Sequence, residues 1–141
     1  MTVNKKQQEI VEEFALFDDW MDKYNYLIEL SKELPEMDPR EKTEENLIEG
    51  CQSKVWLHAE MDADKLVFRG DSDAIITKGL VALLIKVLSG RKPEEIKDAD
   101  LYFIDEIGLR ENLSPTRSNG LLAMINKIKA YAMAYEFKQN Q

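Results

Sequence analysis

Apolar residues recur at two different periods along this chain, and each change of period marks an element. Over residues 5–17, Ile10, Val11 and Phe14 fall at helical spacing, and over 19–33 Trp20, Tyr24, Leu27 and Ile28 repeat it. The first helix is expected to end near Asp18, which makes the pair an N-terminal helical hairpin. Pro35 and Pro39 interrupt the pattern, and the charged run to Glu45 reads as a loop. From Leu47 the period becomes two. Val55, Leu57, Ala59 and Met61 alternate with Trp56, His58 and Glu60, which predicts a strand. The turn residues Asp62-Ala63-Asp64 and a second strand over Lys65–Gly70 complete an antiparallel hairpin, to which Leu47-Ile48 could add a third short strand.

The helical period then returns. Asp71-Ser72-Asp73 precedes the most apolar stretch, with Ile75, Ile76, Leu80, Leu83, Leu84, Val87 and Leu88 over about four turns. Gly90 reads as its C-terminal stop. Pro93 opens a short acidic turn, and Leu101–Ile107 reads as another helical piece ending at Gly108. Ser114-Pro115 is a clean start, with serine as cap and proline in the first turn. The last helix carries Leu121, Met124, Ile125, Ile128, Ala132 and Tyr135 on one face. Strands bunched between helical segments predict an α+β fold, a small antiparallel sheet covered by helices.

Composition narrows the classes of function. A chain of 141 residues reads as one domain, 1–141, long enough to bury an ordinary core without staples. No apolar run reaches the length that crosses a bilayer, and MTVNKKQQEIVEEF has no apolar core of a secretory signal. The expected location is therefore the cytoplasm. A formal charge of −8, from 27 acidic against 19 basic residues, disfavours a nucleic-acid backbone or an anionic membrane as main partner. A single cysteine excludes an internal disulfide and any metal or cluster site built from several thiolates of one chain.

That cysteine, Cys51, lies in GCQSKVWL (Gly50–Leu57), at the mouth of the first strand. An unperturbed thiol has a pKa near ~8.5, so little of it is thiolate at neutral pH unless its surroundings lower that value. Gly50 suits a turn that projects the side chain outward, and Lys54 could favour the thiolate. The alternative is a small hydrophobe closing the end of the core. His58, the one histidine, raises a Cys–His hydrolase. Seven extended residues would separate the two by roughly 20 Å, so His58 reads better as a partly exposed strand residue. Asp71, Ser72 and Asp73 lack the spaced acidic loop of a calcium site and read as a helix start. Ser114 reads as a cap rather than a nucleophile. Arg117, in the first turn of the last helix, carries a positive charge where the helix dipole mildly disfavours it, a modest hint of function.

Four segments together resemble one family. WMDKYNYLIEL with Leu34-Pro35, EGCQSKVWL, FRGDSDAIITKGLVALL and LSPTRSNGLLAM follow in the order and separations of the SufE family, the sulfur acceptors of iron–sulfur cluster assembly. The resemblance runs from about Phe14 to about Tyr131. It implies a SufE/IscU-like fold akin to the cluster-assembly scaffolds. It also implies a partner, a cysteine desulfurase that itself holds pyridoxal phosphate, so that this chain needs no cofactor or metal of its own. The thiol matching Cys51 takes the partner's persulfide sulfur, stimulates the desulfurase, and hands the sulfur to a scaffold complex. In the family this thiol lies on a loop that can be shielded in a hydrophobic pocket. Gly50, Gln52, Ser53, Trp56, Asp71, Ser72, Asp73, Arg117 and Asn119 match motif positions and are carried over as supporting residues. Lys54 stands where many members have glutamine. A lone thiol suits a carrier, because a second nearby cysteine would resolve the persulfide into a disulfide. The competing expectation is an adaptor that binds a desulfurase or scaffold without chemistry. Monomer and homodimer both remain open.

Overall fold

A computed structural model of the chain describes residues 2–50 and 52–140. Thr2 opens the first helix, α1 (Val3–Phe14), its hydroxyl accepting from the Lys5 amide at 3.1 Å. The helix stops at Phe14 rather than near Asp18, and Leu16 beyond it is 81% exposed. Asp19 caps α2 (Trp20–Glu33), its carboxylate accepting from the Asp22 amide at 2.9 Å. The two helices do not lie side by side as a hairpin. They meet near the link between them, through the edge-on rings of Phe14 and Tyr26 (centroids 5.2 Å apart), while α2 packs along the apolar helix α3 (Ile75–Leu88). Between α2 and the sheet, Pro39–Glu41 forms one turn of 3-10 helix in the expected loop.

The hairpin is β1 (Val55–Asp62) against β2 (Lys65–Ser72), antiparallel from Val55↔Ser72 to Asp62↔Lys65. Ala63, with φ of 57°, takes the left-handed position of the turn. Alternation sorts the faces as the sequence predicts. Val55, Leu57 and Ala59 join Leu66, Phe68 and Gly70 inside, while Trp56, His58 and Glu60 face Asp71, Arg69 and Val67 outside. Leu47-Ile48 adds only a bridge to Trp56, with the Ile48 amide donating to the Val55 carbonyl at 2.8 Å. The segment before it is pinned across the outer face: Glu41 pairs with Arg69, and the Lys42 ammonium lies 2.8 Å from the Asp71 carboxylate.

One buried face of the hairpin rests on α3, whose Leu80, Val81, Leu83, Leu84, Val87 and Leu88 are each no more than 2% exposed. Three short helices follow, α4 (Pro93–Asp98), α5 (Phe103–Glu106) and α6 (Leu109–Asn112), where the sequence suggested one acidic turn and one helical piece. The long α7 (Pro115–Gln139) closes the core with Leu121, Met124, Ile125, Ile128 and Ala132. Tyr131 and Tyr135 of α7 donate to the carbonyls of Leu57 and Ala59 at 3.0 and 3.1 Å, tying that helix to the inner strand β1. The α+β expectation holds, with a two-stranded sheet.

Candidate functional site

The elements on either side of residue 51 define the site. Cys51 itself lies outside the described residues. Before it, Gly50 has φ of +93°, a conformation that a side chain would strain, and it sits against α7, where an added Cβ would meet Ala123 Cβ at 3.6 Å. After it, the backbone is clamped. The Lys54 amide donates to Asp73 Oδ1 at 3.0 Å, and the Asp73 amide donates back to the Lys54 carbonyl at 3.1 Å. The segment carrying the cysteine thus begins at a glycine beside α7 and is anchored after the cysteine at the junction of β2 with α3.

Between those supports lies a cavity of about 370 Å³. Gln52 and Ser53 border it on one side, Ser114, Thr116 and Arg117 of the α7 start on another, and Ala74 and Thr77 of the α3 start on a third. Leu80 and Met124, 1% and 2% exposed, contribute apolar lining deeper in the fold. The arrangement is a polar mouth with an apolar interior, where two helix starts converge. Ser114 is a cap, as its sequence context predicts: its hydroxyl accepts from the Arg117 amide at 3.2 Å. The Arg117 side chain is exposed and borders the mouth.

Asp71-Ser72-Asp73 corrects the sequence reading. These residues do not cap α3. The strand β2 runs on through Ser72, and Ala74 stands at the cap position with no side-chain hydrogen bond. Each of the three does something else. Ser72 is buried, and its hydroxyl accepts from the Ala74 amide at 3.2 Å. Asp73 clamps Lys54. Asp71 faces outward between Lys42 at 2.8 Å and Lys78 at 3.3 Å, and its carboxylate accepts from the Ser72 amide. Burial pushes the Asp71 pKa up, but these hydrogen bonds outweigh it and hold the carboxyl below its ordinary range. Lys42 also lies 5.2 Å over the Trp56 ring, so Trp56 and Asp71 belong to the clasp on the outer face rather than to the cavity.

Of the residues singled out from the sequence, Gln52, Ser53 and Arg117 come together at the mouth. Gly50, Lys54, Ser72 and Asp73 support the segment from outside it, and Asn119 is exposed without bordering the cavity. His58 is a partly exposed strand residue, as expected. Its ring sits with Glu41 at 3.3 Å and Asn46 at 3.4 Å, on the outer face of β1. Thr77, Thr116, Gly120 and Met124 border the cavity and were not singled out as site residues. One signal for Thr77 was available: it is the hydroxyl residue in the apolar run IITKGLVALL. Among the described residues, no group of three His, Cys, Asp or Glu side chains is placed to hold a metal. Nor is any described helix long and apolar enough to cross a membrane.

A clamped, glycine-led segment over a half-polar cavity, on a hairpin packed by helices, defines an α+β protein with a single-thiol segment at its site. Residues 8–132 match the family model "SufE: Fe-S metabolism associated domain", and the chain belongs to the SufE family. It is 47% identical over 129 residues to an uncharacterized SufE-like protein of Rhizobium meliloti, covering 88% of this chain and 92% of that one. It is 42% identical over 134 residues to SufE-like protein 1, chloroplastic/mitochondrial, of Arabidopsis thaliana. That match takes in 94% of this chain but 36% of the plant protein. In fold it is similar to a hypothetical protein of Thermus thermophilus solved in solution, with a TM-score of 0.76 at 24% identity, over 92% of this chain and 94% of that one.

Proposed function

We propose that this chain is a persulfide carrier: Cys51 accepts sulfur from a cysteine desulfurase, stimulating that enzyme, and delivers it to an iron–sulfur assembly scaffold. The carrying observation is positional. The one cysteine of the chain stands between a positive-φ glycine and two residues that border a cavity with a polar mouth and an apolar interior. Membership of a family of Fe-S metabolism supports the same reading.

The step needs one nucleophile. The Cys51 thiolate attacks the terminal sulfur of the partner's persulfide; that S–S bond breaks, a new one forms at Cys51, and the partner's cysteine leaves as a thiolate. The exchange is redox-neutral and calls on no metal or cofactor of this chain. Pyridoxal phosphate stays with the desulfurase, where sulfur is first taken from L-cysteine. The Arg117 guanidinium at the mouth favours the anionic sulfur on either side of the transfer. The apolar lining keeps water and oxidants from a persulfide held there.

Incubating the protein with a cysteine desulfurase and L-cysteine tests this directly. The intact mass gains one sulfur, which a reductant removes, and a Cys51→Ser variant gains none and no longer stimulates turnover. A Cys51→Ser variant that stimulates the desulfurase as well as the wild type would instead establish the adaptor.

A further inference from the structure

Asn46 stands where the segment fastened over the sheet turns into the stretch that leads to Cys51, and it is held on several sides. Its backbone carbonyl accepts from the Leu57 amide at 2.8 Å, and its Nδ2 donates to the Glu41 carbonyl at 2.7 Å. Its Oδ1 lies 2.9 Å from the Tyr131 hydroxyl, and the same Nδ2 lies 3.4 Å from Nδ1 of His58. A carbonyl can only accept, so Glu41 fixes the amide nitrogen of Asn46 on the side that faces His58. Nδ1 of His58 then offers a lone pair, and the neutral ring carries its hydrogen on Nε2. That hydrogen meets carboxylates: Nε2 is 3.3 Å from Glu41 Oε2 and 3.9 Å from Glu60 Oε2. The partners on its two sides thus assign the tautomer of this one histidine, whose side chain is 28% exposed to solvent.

We propose that His58 is a proton-operated latch on Asn46: the neutral ring holds the Asn46 amide, and the protonated ring releases it and loosens the stretch Asn46–Gly50 that enters the cysteine segment. A second proton has one place to go, Nδ1, where it meets the Asn46 N–H donor against donor. The charged groups around the ring decide which contact gives way. Glu41, from the segment over the sheet, and Glu60, from β1 itself, both lie on the Nε2 side. They draw the imidazolium toward themselves, so the loss falls on Asn46. Arg69 of β2 pairs with both carboxylates and stays with them in either state of the ring. The remaining charges bordering this cavity are spoken for or turned to solvent. Arg40 is paired with Asp38 at 2.7 Å, Lys127 of α7 donates to the Glu45 carbonyl at 3.1 Å, and the Glu45 side chain is exposed. Tyr131 and Tyr135 of α7 give their hydroxyls to the carbonyls of Leu57 and Ala59. The latch does not depend on what the thiol carries: it sets how firmly the approach to Cys51 is held.

Nuclear magnetic resonance on the full chain, titrated from about pH 8 to about pH 5, tests the latch. The ring nitrogens of His58 report its tautomer and its titration, and the Asn46 side-chain amide signals report the contact. The amide of Leu57, bonded to the Asn46 carbonyl, reports the hold on the segment through its hydrogen-exchange protection, corrected at each pH for the intrinsic rate. At the upper end the neutral ring carries its hydrogen on Nε2. As the ring gains its second proton, the Asn46 signals move with the same midpoint, and Leu57 protection falls about fivefold, the size of one weakened hydrogen bond. His58→Gln has no proton to gain, and its Leu57 protection stays within about twofold across the range. A neutral ring protonated on Nδ1, or Asn46 signals that ignore the ring titration, overturns the latch in the wild type alone, whether or not the variant folds. Leu57 protection that stays level while the ring titrates overturns it as well, as does an equal fall in His58→Gln. Sulfur uptake at Cys51, read separately by mass, is untouched by any of these results.

Discussion

A methyl group added to Gly79 would lie 2.4 Å from the Leu27 carbonyl oxygen and 2.9 Å from its carbonyl carbon. Both are backbone atoms of α2, so no side chain can swing away to make room. This is a close approach of α2 to α3, and it is possible because Gly79 presents only hydrogen to Leu27, itself fully buried. Gly79→Ala is expected to push the helices apart and destabilise the protein by about 2–4 kcal/mol. Urea unfolding monitored by circular dichroism would measure it. A loss under about 0.5 kcal/mol would mean that α2 shifts freely on α3. Gly50 is constrained differently: an added methyl would make only ordinary contact with Ala123, and its need is the positive φ at the entry to the cysteine segment. The sequence marks both as glycines, but only the packed structure separates a steric requirement from a conformational one.

At the scale of elements, the junction of β2 with α3 does the positioning. Because β2 continues through Ser72, Asp73 emerges at the strand end beside Lys54, and the two exchange backbone and side-chain hydrogen bonds. Asp73→Ala removes the carboxylate acceptor from the Lys54 amide. Amide hydrogen exchange over residues 52–54 is expected to accelerate, with a stability loss of about 1 kcal/mol. Unchanged exchange at Lys54 would show that β1 alone fixes the segment. The same junction shows what the sequence could and could not reveal. The hairpin, α3 and α7 were legible because each repeats a clear period over eight or more residues. Two acids and a serine ahead of an apolar run imitate a helix cap, while the strand partner that claims Ser72 is distant in sequence. α4, α5 and α6 are four to six residues each, too short to display a period. The cavity is assembled from three separated segments, so the motifs marked Gln52, Ser53 and Arg117 but not that Thr77 faces them.

For the molecule as a whole, a charge of −8 raises the question of which acids the fold uses. Three stand together on the outer face of the sheet. Glu41 and Glu60 both pair with Arg69, whose hydrogen bonds are the main reason their carboxyls lie below the ordinary range, while Asp71 pairs with Lys42 and Lys78. Through these pairs the residues around Glu41 are fastened over β1 and β2, close to the strand that follows the cysteine segment. A carboxyl whose folded pKa is depressed stabilises the fold fully above its unfolded pKa, near ~4, and loses that contribution as pH falls through the lower folded value. Stability is therefore expected to fall as the pH drops below about 4. Arg69→Met removes the common partner of two of these acids while keeping a long apolar stem. It should lower stability at pH 7, where both carboxylates are ionised, and the gap from the wild type should narrow steadily as they protonate. Urea unfolding of both proteins at pH 7, 5, 4 and 3 would follow the gap. A gap that stays constant across this range would assign the effect of Arg69 to its packed stem, and the clasp over the sheet would then rest on burial rather than charge.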